Sequence, residues 1–163
     1  MAAEEEAAVA AEVKLRLDQS EIPAYVKRRF WLEKAPHLTK AEVDLVFEEL
    51  KNFLFLSYTN KDTYLFSFVV DEAWHTFILF TREYMTFCNN VFNKYMHHSP
   101  SISRGGYSDD IQPIRNMIHI IKSQMPKSKL INLDTEFKIS GSKFKKIISI
   151  EYGEIFLDGL KIS

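Results

Sequence analysis

Cysteine is almost absent: Cys88 stands alone in 163 residues, so no intramolecular disulfide can form and the small secreted, disulfide-stapled class is excluded. Long apolar runs are absent too, none approaching the roughly 18 residues of a membrane-spanning helix. The N-terminus is acidic where a secretory signal needs base. Net charge is also lacking, at −1 with a pI near 6.5, which argues against a protein whose main task is coating nucleic acid or an anionic membrane. There is no internal repeat and no low-complexity tract beyond an Ala/Glu-rich start. These absences predict a soluble, cytoplasmic protein.

What is present is enough apolar residue, 46%, for one domain with a real core. Charge is uneven along it: residues 1–100 carry 11 Lys+Arg against 15 Asp+Glu, and residues 101–163 carry 10 against 7. The expected organisation is a helical domain over 1–126 and a C-terminal β or extended segment over 127–163, packed on or appended to the same domain. The fold class expected is mainly α, a compact helical bundle around a buried central helix at about 69–92.

Residues 2–19 predict a helix with an acidic first turn, which suits the helix dipole. Pro23 opens a second helix through Tyr25, Val26, Phe30 and Trp31, and Pro36 ends it. Thr39-Lys40-Ala41-Glu42 has the form of a capping box, followed by Val43, Val46, Phe47, Leu50 and Phe53 at helical spacing. Between Phe53 and Phe68 the period weakens, and the polar run from Ser57 to Tyr64 suggests a turn between two short extended pieces. The stretch 69–92 is apolar on nearly every side, as a helix in the middle of a bundle would be. Ser99–Ser108 is expected as a loop, and Ser108-Asp109-Asp110 as the cap of a helix carrying Ile111, Ile114, Met117, Ile118 and Ile121. Beyond Lys127, Leu130–Leu133, Phe137–Ile139, Ile147–Tyr152 and Ile155–Leu157 suggest short strands, with Tyr152-Gly153 as a hairpin turn.

Chemistry concentrates at Asp71-Glu72-Ala73-Trp74-His75 and its continuation. On a continuous helix Asp71, His75 and Arg82 fall within about 40° of one another, one polar stripe with Trp74 beside it. A second signal follows at Tyr95-Met96-His97-His98-Ser99-Pro100. The run from Val70 to Tyr84 with Phe87-Cys88, followed by His97-His98-Ser99-Pro100, resembles a family of small bacterial proteins described as glycine-rich domain-containing protein-like, over residues 22–100. The resemblance implies a helical domain and brings no catalytic role with it. Plant relatives with a similar Asp-x-x-Trp-His helix have an additional glycine-rich tail. This chain, with five glycines, has no such tail, so nucleic-acid functions suggested for those tails do not transfer.

Three readings of the stripe stay open. Asp71 and His75, four residues apart, could chelate a metal with a third ligand from His97 or His98, of which at most one joins because adjacent side chains diverge. Alternatively Asp71 fixes the His75 tautomer and pairs with Arg82 or a backbone group, anchoring the helix with Trp74 in the core. An Asp71–His75 acid–base dyad is the third, without an evident nucleophile, since Cys88 is read as a buried thiol too far along the helix. Arg104-Gly105-Gly106 lacks the spacing of a phosphate loop and is read as a connector. Six lysines between 126 and 147, interleaved with Phe137 and Phe144, are read as a solvated strand edge in preference to a nucleic-acid surface, and His37 and His119 as ordinary surface or interface residues. The function expected is a non-enzymatic helical binding or interaction module with a protein partner and no cofactor. The alternative is a metal-binding protein or small metal-dependent enzyme holding a divalent transition metal at Asp71, His75 and the His97-His98 pair. Neither nucleic acid nor a membrane is an expected partner.

Overall fold

In the computed structural model, which describes residues 2–98 and 112–139, the first helix is α1, Ala2–Gln19. Only its Val13 and Leu17 are buried, and its exposed flank carries the Glu12–Arg16 and Lys14–Asp18 pairs four residues apart. Helix α2, Ala24–Lys34, starts after Pro23 and ends before Pro36. Helix α3, Lys40–Thr59, opens on the expected capping box: Thr39 Oγ1 accepts from the Glu42 N–H at 3.2 Å, and Glu42 Oε1 accepts from the Thr39 N–H at 2.8 Å. It then runs on to Thr59 in place of the first extended piece and the start of the turn expected at 57–64, and residues 60–67 connect to the next helix without forming a strand. Leu54 and Leu56 are buried within this helix, and Asn60 ends it by reaching back to the Leu56 carbonyl.

The central element differs from the expected single helix. It is two helices, α4 (Phe68–Leu79) and α5 (Thr81–Phe92), broken at Phe80 with φ −86° and ψ 71°. Leu79, just before the break, is exposed, while Phe77 and most apolar residues of α5 are buried. The break turns α5 back onto α4, so that Phe77 meets Tyr84 and Phe87 with ring centroids 5.0 and 5.4 Å apart. Helix α4 packs against α2, α3 and α5, which makes it the centre of the fold. Arg16 on α1 donates to the Val91 carbonyl at 3.0 Å and ties α1 to α5.

Helix α6, Gln112–Gln124, buries Ile114, Met117, Ile118 and Ile121, and Gln124 exchanges two amide hydrogen bonds with Asn60. Residues 127–139 form turns and a one-turn helix, α7 (Leu133–Glu136), in place of the strands expected at 130–133 and 137–139. Leu130, Leu133, Phe137 and Ile139 are buried in the helical core, and Glu49 on α3 accepts from Ser128 Oγ and the Lys129 N–H at 2.6 and 2.7 Å. These polar anchors fix the segment's backbone more tightly than its β-branched composition alone would suggest. The expected loop at 99–108, the cap at 108–110 and the strands beyond residue 140 lie outside the described residues. Among the described residues no helix is long and apolar enough to cross a membrane. The fold is mainly helical.

Candidate metal centre

The site is built on the first two turns of α4. Their position is fixed by a double cap: Ser67 Oγ accepts from the Val70 N–H at 3.3 Å, while the Asp134 carboxylate of α7 accepts from Ser67 Oγ, the Phe68 N–H and the Val69 N–H at 3.0, 2.6 and 3.1 Å. A carboxylate against the N–H groups of a helix start satisfies donors that have no intrahelical acceptor and complements the helix dipole. One turn further on, Asp71 and His75 share a face, with His75 Nε2 3.7 Å from Asp71 Oδ2.

The other half of the site comes from the segment after α5. Asn93 adopts the left-handed conformation (φ 57°, ψ 24°), which asparagine tolerates and which reverses the chain at the helix end. The returning strand of chain is then pinned to α4 through Tyr84. Its buried hydroxyl accepts from Trp74 Nε1 at 2.9 Å and donates to the Met96 carbonyl. Burial pushes the Tyr84 phenol well above its ordinary range, so it keeps that proton, although the Trp74 N–H pulls in the other direction. Two residues beyond Met96, His98 lies against Trp74 with centroids 4.2 Å apart and places Nε2 2.7 Å from Asp71 Oδ1. The His98 and His75 rings lie 4.5 Å apart.

Asp71, His75 and His98 thus bring three donor atoms within 4.8 Å of one another. Donors bound to one ion at about 2.1 Å lie roughly 3.0 to 3.5 Å apart, depending on coordination geometry. His98 approaches Asp71 Oδ1 at 2.7 Å and His75 approaches Oδ2 at 3.7 Å, so the donors lie near that range on either side of the carboxylate, while the three-donor set as a whole spreads to 4.8 Å. Two imidazoles and a carboxylate suit divalent first-row metals, and three protein ligands leave coordination positions open for water or an incoming ligand. The His98 side chain is 11% exposed and that of His75 47%, so the centre has one wall in the protein and one toward solvent. Beside it lies a cleft of about 560 Å³ lined by Tyr64, Lys94, Tyr95 and His97 along with Asp71 and His98. Glu72 lies 3.8 Å from His75 Nδ1 and 3.3 Å from Lys34 of α2, a link from the site to a neighbouring helix.

Of the residues singled out in the sequence, Asp71, Trp74, His75 and His98 meet here. His97 does not join the cluster: it is exposed, lines the cleft and packs edge-on against Tyr95 with centroids 4.6 Å apart. Arg82 is also elsewhere. The shared stripe required a continuous helix, and beyond the break at Phe80 Arg82 is exposed, placed near Tyr25 of α2, and among the described residues makes no ion pair with Asp71 or His75. Cys88 is buried as expected, and burial raises its thiol pKa, so it stays protonated. Tyr84 and Asp134 were not singled out as site residues. A tyrosine among the apolar positions of α5 was the available clue to the first. Asp134, more than sixty residues from the helix it caps, left no local signal.

No curated protein and no solved structure matches the chain. A family model matches residues 14–142, which contain α2 to α7 and every ligand of the candidate centre, and the chain therefore belongs to the UCP032817-like family.

Proposed function

We propose that this protein is a small helical binding module whose bound species is a divalent transition metal, held by Asp71, His75 and His98 at the edge of the 560 Å³ cleft. The observation that supports this is the convergence of three donor atoms from two separate chain segments within 4.8 Å. An i,i+4 pair on a helix is common, but the third donor arrives only because Tyr84 and Trp74 anchor the returning segment. Metal binding is the alternative read from the sequence, taken ahead of the protein-interaction module as the reading to test first. Bound there, the ion would act as a Lewis acid, with its open positions available to a ligand in the cleft.

Isothermal titration of the untagged protein with zinc or cobalt tests the reading. One equivalent is expected to bind. His98→Ala and His75→Ala should each weaken binding by at least about tenfold, as loss of a ligand does, whereas His97→Ala should leave it unchanged. Equal affinity in the His97→Ala and His98→Ala variants would contradict the ligand assignment.

A further inference from the structure

A second cleft, of about 980 Å³, opens between α2 and α3, and the metal centre makes no use of it. Its floor is apolar, with Val43 and Phe47 buried and the Trp31 indole held in place by donation from Nε1 to the Leu38 carbonyl at 2.7 Å. Into this cleft faces Lys51, whose side chain is only 8% exposed. A charged side chain so largely buried is costly unless its three N–H donors are matched. Two are accounted for, by the Ser20 carbonyl at 3.0 Å and by Glu48 at 3.5 Å, and among the described residues no third acceptor reaches it. Arg28 lines the same cleft, is exposed, and has no ion pair among the described residues.

The charges around the cleft narrow the ligand further. Lys27, Arg28, Lys40 and Lys51 stand against Glu21, Asp44 and Glu48, leaving one net positive charge. Asp44 is already engaged by Lys27 and Lys40, at 3.2 and 3.9 Å. A single surplus charge matches a monoanion better than a phosphate dianion, and the volume is that of a small-molecule site and far exceeds the needs of an inorganic ion. We propose that this cleft binds an amphipathic monocarboxylate, its apolar body on Val43, Phe47 and Trp31 and its carboxylate on the third Lys51 N–H, with Arg28 as the second cation.

Titration of the full chain with decanoate, well below its micellar concentration, tests the proposal by calorimetry and by ¹⁵N chemical shifts. Saturable one-to-one binding is expected, with shifts concentrated in residues 22–51. Loss of a charge-assisted hydrogen bond should weaken decanoate about tenfold in Lys51→Met, and loss of the more exposed cation about threefold in Arg28→Gln. Decanol, which keeps the chain and lacks the charge, should bind at least about tenfold more weakly than decanoate. Absence of saturable binding, equal affinity for decanol, or shifts centred outside the α2/α3 cleft would each overturn the proposal. Because Lys51 is buried and its replacement could unfold the chain, the exposed Arg28→Gln variant decides independently: wild-type affinity for decanoate there would overturn it too.

Discussion

The Tyr84 hydroxyl is the single polar atom on which the candidate centre most depends. It accepts from Trp74 and donates to the Met96 carbonyl, both in the protein interior. Tyr84→Phe leaves a buried indole N–H and a buried carbonyl without a partner, at an expected cost of about 1–3 kcal/mol in urea unfolding. Because Met96 precedes His98 by two residues, the same substitution should also weaken metal binding by about tenfold, read by the titration used for the wild type. Undiminished affinity would mean that His98 reaches Asp71 without that anchor. Cys88 carries a different consequence. Burial holds its thiol pKa above the ordinary value, so the native state keeps a proton that the unfolded chain releases first. With more protons bound in the native state, stability must fall as pH rises through the thiol range. The urea midpoint should therefore drop between about pH 8 and pH 10, and Cys88→Ala should flatten that drop.

At the scale of elements, the start of α4 is held by a residue far away in sequence. Asp134 satisfies two backbone N–H groups and the Ser67 hydroxyl. Asp134→Ala should cost about 1–2 kcal/mol, the usual range for losing a helix N-cap, and should lower hydrogen-exchange protection first at residues 68–71. Protection lost uniformly over all helices would instead show that α7 supports the whole fold. The break at Phe80 explains why one part of the sequence reading failed while its neighbours succeeded. Both ends of α2 and the start of α3 were legible because proline and the Thr39/Glu42 capping box are local signals whose effect does not depend on what packs nearby. The division of residues 69–92 was not, since no proline or glycine marks it. It goes with tertiary contacts, Phe77 meeting Tyr84 and Phe87 and Phe80 finding the Tyr25 ring 5.6 Å away on α2.

Across the whole molecule, the helical class and the core positions of α3 and α6 could be read from periodicity, because each helix buries apolar residues at helical spacing. The Asp71/His75 pair was equally legible, being local. The candidate third donor was narrowed to two adjacent histidines, and His98 rather than His97 reaches Asp71 through a left-handed Asn93, a buried tyrosine and ring contact with Trp74, none of which has a sequence period. Residues 127–139 misled for the same reason: their β-branched composition suggested strands, while turns and a short helix form there, with Lys129 donating to the distant Glu49 and Asp134 accepting from the start of α4. The central claim is that these distant constraints assemble a metal centre, and elemental analysis of protein purified without a histidine tag, then reconstituted with zinc and dialysed, tests it most directly. The account predicts close to one zinc per chain in the wild type and in His97→Ala, with loss in His75→Ala and His98→Ala; a wild type that retains no metal after reconstitution would contradict it.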